Sequence, residues 1–432
     1  MTAPRPLQVL LIAHGLPPES VGGVEQHVDG LARALTDFGH RVTVYARSGD
    51  GAAQGTIREQ PAGDGGRPFP VTHVTYRYED IDSLAGLYRV PLLDDALRAF
   101  LARAPRFDVA HVHHLTGMST GLVDVLREAG VPVVLTLHDY WLMCPRGQMW
   151  HRRGEPCARV EPRQCAECLT PTFGGWLPEG RRPATVAALH ANAVAVLQSC
   201  SALVAPSARV RPQFAGLGGA AERIRVVENG VDTESLWTVP PPAPRPGEPL
   251  RVGYLGTLIP SKGLGVLVDA IQELPAGTAS LDVWGNSVPY HGDETYLGRT
   301  LSRLRTGTEF RYHGPYQTAD LPRILAQIDV VAAPALWAEA FGLTVREALA
   351  AARPVVVSRI GGLQDAIQDG AVGRVVEPGD PAALAEALRG LAADPQPAIR
   401  AAEAGRRQCR GFRGMAEELC QIYSELVSLD PG

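Results

Sequence analysis

A single lysine stands among the 41 basic residues of this 432-residue chain, and the other 40 are arginine. Lys262 lies in Gly253-Tyr-Leu-Gly-Thr-Leu-Ile-Pro-Ser-Lys-Gly263, where an apolar run passes into a helical pattern. Lysine is a compact charge on a flexible stem, whereas arginine presents a planar fork. Because a compact cation beside a glycine-rich strand-to-helix turn suits a phosphate group, this loop is predicted to bind phosphate. The alternative is that one lysine escaped a general coding bias toward arginine.

Two glutamates flank a glycine in Glu339-Ala-Phe-Gly-Leu-Thr-Val-Arg-Glu347, shortly after another apolar run. Backbone N–H groups at a helix start near Gly342 would favour an anion. Glu347, one turn into that helix, can accept two hydroxyl hydrogen bonds, as a ribose diol offers, and Glu339 can do the same for sugar hydroxyls. The alternative is that Glu347 is a solvated or capping residue and Glu339 a loop charge.

Strand-like apolar runs alternate with helical patterns along the chain. Such runs between helices indicate parallel sheets covered on both faces, the α/β class. The runs are residues 9–13, 42–45, 109–112, 133–137, 203–205 and 224–227 in the first half, and 252–255, 281–284, 330–333, 354–357 and 375–376 in the second.

Six prolines between Thr238 and Pro249 predict a stiff, extended linker. The predicted division is an N-terminal domain at 1–237, the linker at 238–249 and a C-terminal domain at 250–410. Residues 411–432 are predicted to form an amphipathic helix that packs back on the N-terminal domain. Ligands of doubly wound sheets bind beyond the carboxyl ends of the strands, so two facing domains would form a binding cleft.

Charge and hydropathy exclude several classes of protein. A net charge of −5 and a pI of about 6.2 argue against a nucleic-acid binder, which should be basic. No run of 18 or more residues is free of polar interruption, and the early run Val9–Ala13 is too short for a signal peptide. We therefore expect a cytoplasmic protein without a transmembrane segment. The segment Leu92–Arg106 is predicted to cover the sheet, with peripheral contact to a membrane as the alternative.

Taken together, these motifs resemble the retaining GT-B glycosyltransferases of family 4. The resemblance covers nearly the whole chain, and the block around the two glutamates is its most specific part. It implies two Rossmann-like domains that face each other across a cleft, and transfer of a sugar from a nucleoside diphosphate without a catalytic metal or other cofactor. The motifs that carry the resemblance are Gly22-Gly23-Val24-Glu25, Asn229-Gly-Val-Asp232, the Lys262 loop, Glu339–Glu347, Pro354-Val355-Val356 and Gly361-Gly362.

The resemblance also implies roles for individual residues. Lys262 would neutralise the diphosphate, Glu347 would bind the ribose and Glu339 the donor sugar, and Gly314–Tyr316 would lie near the base. The implied catalytic set is His138, Lys262 and Glu339. The implied donor-binding set is Gly22, Gly23, Lys262, Asn286, Tyr316, Glu339, Ala340, Phe341, Gly342, Leu343 and Glu347.

Histidines follow two apolar runs of the first half, in Asp108-Val-Ala-His-Val-His-His114 and in Leu135-Thr-Leu-His138. Family members place a histidine beside the donor sugar at the position of His138. A neutral imidazole there could donate to a sugar hydroxyl or help to take the acceptor's proton. The alternative is a structural histidine at a strand end. His113 and His114 are candidates for the acceptor side.

Two positions depart from the family pattern. Thr257 replaces the arginine that usually follows a glycine in the phosphate loop, and Ala352 replaces a glycine. Arg346 and Arg359 are candidates to supply the missing cation. Because the loop lacks this arginine, two alternatives stay open. The protein could be a nucleotide-sugar-binding protein without transfer activity or a nucleotide-sugar epimerase. Uridine diphosphate is the expected donor carrier, and the acceptor is an unidentified small molecule or glycoconjugate, with bacterial natural-product or glycoconjugate biosynthesis as the expected setting.

Four of the seven cysteines fall within residues 144–168, a segment with little periodicity that would be an unusually long loop without a staple. In a cytosolic enzyme, clustered cysteines ending in Cys-x-x-Cys more often bind metal than form disulfides. We therefore predict a structural tetrahedral zinc site. The alternatives are two disulfides, free thiols or an iron–sulfur cluster. The predicted ligands are Cys144, Cys157, Cys165 and Cys168.

Overall fold

A computed structural model describes residues 5–218, 220–244, 247–367 and 372–429 of the chain. They divide into two compact units. Unit 1 is drawn from Met1–Gly147, Ala158–Gly230 and Phe412–Gly432, and unit 2 from Gln148–Cys157 and Val231–Gly411. Each unit contains a predominantly or wholly parallel sheet with helices, which confirms the predicted α/β class.

The strands of the described residues are numbered in chain order. They are β1 (Gln8–Ala13), β2 (Arg41–Ser48), β3 (Ile57–Gln60), β4 (Val71–Thr75), β5 (Val109–Val112), β6 (Val133–Thr136), β7 (Trp150–His151), β8 (Glu155–Pro156), β9 (Ala202–Ala205), β10 (Ile224–Val226), β11 (Leu250–Leu255), β12 (Ala279–Trp284), β13 (Phe310–Gly314), β14 (Val330–Ala333), β15 (Val355–Ser358) and β16 (Gly373–Val376).

The α-helices follow the same order. They are α1 (Gly23–Asp37), α2 (Leu84–Tyr88), α3 (Pro91–Leu101), α4 (Leu122–Glu128), α5 (Pro162–Phe173), α6 (Arg182–Ser199), α7 (Arg211–Phe214), α8 (Thr233–Leu236), α9 (Leu264–Glu273), α10 (Tyr296–Leu301), α11 (Leu321–Leu325), α12 (Leu343–Ala350), α13 (Pro381–Ala393), α14 (Gln396–Gly405) and α15 (Phe412–Leu429).

The sheet of unit 1 has the strand order β10-β9-β6-β5-β1-β2-β4-β3, parallel except for the pair β3–β4. Val9 and Leu11 of the central strand pack in a core with α1 and α15, and Leu10 and Ile12 on the opposite face are equally buried. Burial on both faces explains why this strand reads as an unbroken apolar run. The strand order reverses between β1 and β5, the position where such sheets bind ligands.

The sheet of unit 2 has the order β13-β12-β11-β14-β15-β16, and all of its neighbouring strands are parallel. Here the order reverses between β11 and β14. The loops that follow these two strands carry Lys262 and Glu339, so the topology alone brings the two residues to one crevice at the edge of the sheet.

The C-terminal helix α15 packs on α1 in unit 1. Its Met415, Leu419 and Tyr423 join the core of that unit. At the helix start, a Cβ added to Gly30 would lie only 2.3 Å from the Phe412 ring, so the contact requires glycine in α1. The Tyr423 hydroxyl also lies 2.6 Å from His111 Nδ1 at the end of β5.

The division between the units falls at Gly230 and Val231 rather than after residue 237. The short helix α8 packs against α11 and α12 and therefore belongs to unit 2. The hairpin β7–β8 also belongs to unit 2, although the sequence assigned it to the N-terminal domain. Its neighbour Gln148 explains why, because the side-chain carbonyl accepts hydrogen bonds from Ser261 (2.7 Å) and Tyr290 (2.9 Å).

Two further segments have clear structural roles. Arg353 is buried, and its guanidinium donates to the carbonyl of Pro240 at the start of the proline-rich stretch, 2.8 Å away. Burial lowers the pKa of Arg353 to about 10. In the segment considered for membrane contact, α3 buries Leu97 and Phe100. Among the described residues, no helix has the length and apolar character needed to cross a membrane.

Two residues of unit 2 have a left-handed backbone. Ala352 follows α12 with φ of +58°, a conformation that glycine adopts most readily at a helix end, and it stands where the family pattern has glycine. Gly263 precedes α9 with φ of +78°, and a Cβ there would lie 1.9 Å from the Pro334 carbonyl oxygen. Gly263 thus allows the loop after β11 to approach the loop after β14.

Replacing Gly263 with alanine should destabilise unit 2 by at least about 2 kcal/mol, because a left-handed alanine is strained and its Cβ meets the Pro334 backbone. Gly277 is the matched control, since its φ is also +78° and nothing lies within 4 Å of an added Cβ. The measurement is urea-induced unfolding followed by tryptophan fluorescence. Equal losses in Gly263→Ala and Gly277→Ala would show that the close approach to Pro334 is unimportant.

Candidate functional site

The first loop of the site follows β11. It contains a 3₁₀ turn, Pro260–Lys262, and it ends at Gly263, from which α9 begins. The amide of Leu336 donates to the carbonyl of Ser261, 2.8 Å away, and so fixes this loop to the one after β14. The sequence therefore produces a rigid strand–turn–helix unit that holds Lys262 at the edge of the sheet.

Lys262 forms an ion pair with Glu339, and Nζ lies 2.6 Å from Oε1. Its ammonium also lies 5.4 Å from the centre of the Trp337 ring. The Lys262 side chain is 28% exposed and that of Glu339 12% exposed, so solvent and small ligands can reach the cation. The structure thus brings together two predicted site residues that are 77 positions apart.

The turn that carries Glu339 rests on two glycines. The amide of Gly362 donates to the Glu339 carbonyl at 2.7 Å, and a Cβ on Gly361 would lie 2.3 Å from the same oxygen. Gly342 has φ of +80° and precedes α12, which begins at Leu343. The first amides of α12 have no partner within the helix and favour an anion at its start.

Arg346 is hydrogen-bonded to the backbone of this turn and of the loop after β15. Its Nη1 donates to the carbonyls of Phe341 and Gly362, the latter at 2.7 Å, and its guanidinium lies 4.0 Å from the centre of the Phe341 ring. A Cβ built on Gly342 would lie 3.8 Å from the same Nη1, so a buried cation sits beneath the start of α12. Arg359, the other candidate for the missing charge, forms an exposed pair with Glu377.

Glu347 is buried one turn into α12. Burial raises its pKa to about 7, and the negative charge of Asp232 adds to this effect. Burial also raises the pKa of Tyr316, with the charge of Glu347 contributing. Asp232 caps α8, where its carboxylate accepts from Ser235. Three sequence motifs thus meet around one buried carboxyl group that titrates near neutral pH.

The remaining predicted donor-binding residues of unit 2 occupy different environments. Ala340 and Phe341 are buried in the Glu339 turn, whereas Asn286 is exposed after β12. The carbonyl of Asn286 accepts from the amide of Leu258 at 2.9 Å, which joins it to the Lys262 loop.

In unit 1, Gly22 and Gly23 begin α1, and the Glu25 side chain turns back beneath them. Glu25 Oε1 accepts from Ser20 at 2.6 Å and lies 3.3 Å from His14 Nε2, and a Cβ on Gly22 would lie 2.7 Å from Oε2. Burial opposes ionisation of Glu25, yet its contacts with His14 and Ser20 hold the pKa at about 2. A permanent negative charge therefore supports this glycine turn.

The predicted histidines meet after β5 and β6. His113 Nδ1 lies 3.2 Å from His138 Nε2, and burial lowers the pKa of both rings well below the usual value. His114 behaves differently, because Asp139, 3.1 Å from its Nε2, raises its pKa against the effect of burial. Burial therefore favours the neutral imidazole of His138, which can donate a hydrogen bond from one ring nitrogen and accept a proton at the other. These residues line a cavity of about 30 Å³.

The sequence reasoning gave no role to several residues that the structure places at these sites, among them Glu25, His27 and Gln148. His27 had a visible signal, because it falls three residues after Val24 and four before Leu31, on the apolar face of α1, where a histidine is unusual. Gln148 had no such signal, since its partners lie more than 100 positions away.

The four cysteines of the predicted zinc site divide between the units. Cys144, Cys165 and Cys168 belong to unit 1, and Cys157 belongs to unit 2 at the end of the segment that contains β7 and β8. Burial raises the pKa of Cys165 to about 11, and the neighbouring Cys144 and Cys168 add to this effect. Cys144 and Cys168 are thus near enough to Cys165 for their charge to affect its pKa. The zinc site stays a prediction.

Comparison with known proteins agrees with the fold. The sequence profile described as Glycosyltransferase Family 4 matches residues 21–235, and the one described as Glycosyl transferases group 1 matches residues 249–394. The protein is therefore a glycosyltransferase with the predicted GT-B fold. It belongs to glycosyltransferase family 4.

Relatives with known names match over nearly the whole chain. D-inositol 3-phosphate glycosyltransferase 1 of Catenulispora acidiphila is 27% identical over 94% of this chain and 91% of its own length. Among solved structures, sucrose-phosphate synthase from Thermosynechococcus elongatus has a TM-score of 0.74 at 19% identity and covers 98% of this chain and 100% of its own. Anabaena HepE in complex with UDP-glucose has a TM-score of 0.66 at 18% identity, with coverages of 97% and 100%. At these identities the structural likeness shows the fold alone.

Replacing Glu347 with glutamine should change the pH dependence of stability. A carboxyl with a raised pKa binds more protons in the folded than in the unfolded state, so this group lowers stability as pH rises from about 4.5 to about 7. Glutamine removes this effect. The free energy of unfolding of Glu347→Gln, taken relative to that of wild type, should therefore rise by up to about 3 kcal/mol from pH 4.5 to pH 8.

The measurement is urea unfolding of both proteins across this pH range, with Glu273→Gln on the exposed face of α9 as the control. A constant difference between Glu347→Gln and wild type at every pH would mean that Glu347 has no raised pKa.

Proposed function

We propose that this glycosyltransferase transfers a sugar from a UDP-sugar to a hydroxyl acceptor with retention of anomeric configuration. The supporting observation is the accessible ion pair between Lys262 and Glu339, which stands beside the start of α12 at the point where strand order reverses. A diphosphate and the sugar that it carries require these two groups together, a cation for the phosphates and an acceptor for the sugar hydroxyls.

The diphosphate would replace Glu339 as the partner of Lys262. Its oxygens would also meet the first amides of α12, with the buried charge of Arg346 beneath them. This arrangement supports Arg346 over Arg359 as the substitute for the cation that Thr257 lacks, because the Arg359 guanidinium is paired with Glu377 on the surface. Arg346 would act through the field at the helix start, since its Nη1 already holds two carbonyls.

The nucleoside would lie beside Glu347 and Tyr316. An ionised Glu347 accepts both hydrogen bonds of a ribose diol, whereas a protonated one does not. Because the pKa of Glu347 is about 7 in the free protein, donor binding would draw the proton off this group and weaken as pH falls below neutrality. UDP is the proposed carrier, supported by the UDP-glucose that HepE binds on the same fold.

In the transfer step, the bond between the anomeric carbon and the diphosphate oxygen breaks. The acceptor oxygen forms a new bond to that carbon on the same face, and the acceptor's proton leaves with the departing diphosphate or passes to a neighbouring base. Lys262 and the α12 amides would stabilise the negative charge that develops on the leaving oxygen. Roles for Gly22, Gly23 and His138 in donor binding and catalysis, and for His113 and His114 in acceptor binding, remain proposals.

Replacing Lys262 with alanine should lower turnover roughly 10²–10³-fold, because a group that stabilises the leaving diphosphate is lost. Lys262→Arg should recover only part of this loss, since a planar fork does not reproduce a compact cation between Glu339 and the phosphates. Release of UDP from a UDP-sugar in a coupled assay measures both. Arg303→Lys, which alters an exposed pair with Asp269 in the same unit, is the control. Full activity of Lys262→Arg would contradict a specific role for lysine.

The anomeric configuration of the first product tests the reaction class. With an α-linked UDP-sugar, proton NMR at early times should show an α-linked product, or α-configured free sugar where water is the acceptor. A β-configured product would refute retention. Release of UDP without sugar transfer, or a change of sugar configuration without an acceptor, would instead point to a binding protein with hydrolytic leakage or to an epimerase.

A further inference from the structure

Three histidines of unit 1 converge from three different elements. His27 lies on α1, His113 directly after β5 and His138 two residues after β6. Their ring centres are 4.7 to 5.5 Å apart. Each ring offers a nitrogen, and the three nitrogens all lie within 4.8 Å of one another. Three side chains from separate elements thus bring one ring nitrogen each into the same small volume.

The spacing of His113 and His138 fits a shared metal ion. Their facing nitrogens, Nδ1 and Nε2, lie 3.2 Å apart. Two nitrogens bound to one tetrahedral zinc at about 2.05 Å lie about 3.3 Å apart, so these two rings already have the required separation. His27 would have to approach by at most about 1.5 Å to complete this spacing.

The hydrogen bonding of these rings is incomplete. Within the part of the chain that the structure describes, neither nitrogen of the buried His27 has a hydrogen-bond partner, and the same holds for His113 Nε2. A buried polar atom without a partner costs about 1–3 kcal/mol. By contrast, the neighbouring His111 is satisfied at both nitrogens, by Tyr423 and Thr136 at 2.6 Å each. Unpartnered ring nitrogens also occur outside the cluster, at His14 Nδ1 and His73 Nδ1, so the missing partners support a site only together with the convergence of the three rings.

From this geometry we propose that His27, His113 and His138 bind one divalent transition metal ion of the zinc class. Three imidazole nitrogens suit zinc, cobalt, nickel or copper and do not suit magnesium or calcium, which prefer oxygen ligands. The cavity of about 30 Å³ beside His113 and His138 has room for a water molecule as the fourth ligand.

Burial lowers the pKa of all three rings and so favours the neutral form, which is the form of histidine that binds a metal ion. With Nε2 of His138 on the metal, this ring could not accept a proton at that nitrogen, although its Nδ1–H could still donate a hydrogen bond. This metal would therefore regulate or stabilise unit 1 and would not carry the transfer step.

Cobalt spectroscopy on tag-free protein tests the site. Protein stripped with a chelator is titrated with Co²⁺, and visible d–d bands report tetrahedral binding. Thiolate ligands add charge-transfer bands in the near ultraviolet, so cobalt at the cysteines is distinguished from cobalt at the histidines. The expected result is one equivalent of cobalt with nitrogen-type bands, retained in a Cys144→Ser/Cys165→Ser variant.

The variant His27→Leu should weaken this cobalt binding at least about 100-fold, and His27→Gln, which keeps a polar side chain, should weaken it similarly. His73→Leu is the matched control, because it removes a buried histidine of the same unit outside the cluster. Circular dichroism confirms that each variant is folded. The proposal is overturned if wild type binds no cobalt with nitrogen-type bands, if both His27 variants retain it, or if His73→Leu loses it equally.

Discussion

The ion pair between Lys262 and Glu339 joins the two loops that carry the candidate site of unit 2. It is possible because parallel strands β11 and β14 are neighbours in the sheet but distant in the sequence. The pair requires close approach of the two loops, which Gly263 allows, and Gly361 and Gly362 in the loop after β15 support the Glu339 turn; at all three positions a Cβ would collide with backbone. The same approach places the start of α12 beside the cation. The glycine positions and the strand order therefore both serve the close approach of loops that the ion pair requires.

Much of this arrangement could be read from the sequence, because buried parallel strands leave unbroken apolar runs and phosphate loops leave glycines beside a cation. The apolar runs at 9–13 and 252–255 form the central strands β1 and β11, and Lys262 forms an ion pair with Glu339. The sequence could not place the division at Gly230, since α8 joins unit 2 through contacts with distant helices. For the same reason it could not assign the β7–β8 segment, which Gln148 fixes to Ser261 and Tyr290.

In both units, burial opposes the charged form of the candidate site residues, but the outcome differs because their neighbours differ. In unit 2, burial and Asp232 keep Glu347 near its point of ionisation at neutral pH. In unit 1, contacts with His14 and Ser20 overcome burial and keep the pKa of Glu25 low, while burial, with the neighbouring histidines adding to its effect, lowers the pKa of His138 and favours its neutral form. Sequence patterns identify such residues by type, but these charge states depend on neighbours that only the folded chain brings together. That is why the histidine cluster of unit 1 was not foreseen, although two of its three members were singled out.

The central claim is that Lys262 recognises the diphosphate of the donor. It is tested most directly by calorimetric titration of wild type and Lys262→Ala with UDP and with UMP, which differ by the outer phosphate alone. A charge-assisted hydrogen bond to that phosphate predicts that wild type binds UDP at least about tenfold more tightly than UMP. In Lys262→Ala this preference should nearly vanish while UMP affinity stays the same. An undiminished preference for UDP in the variant would contradict the claim.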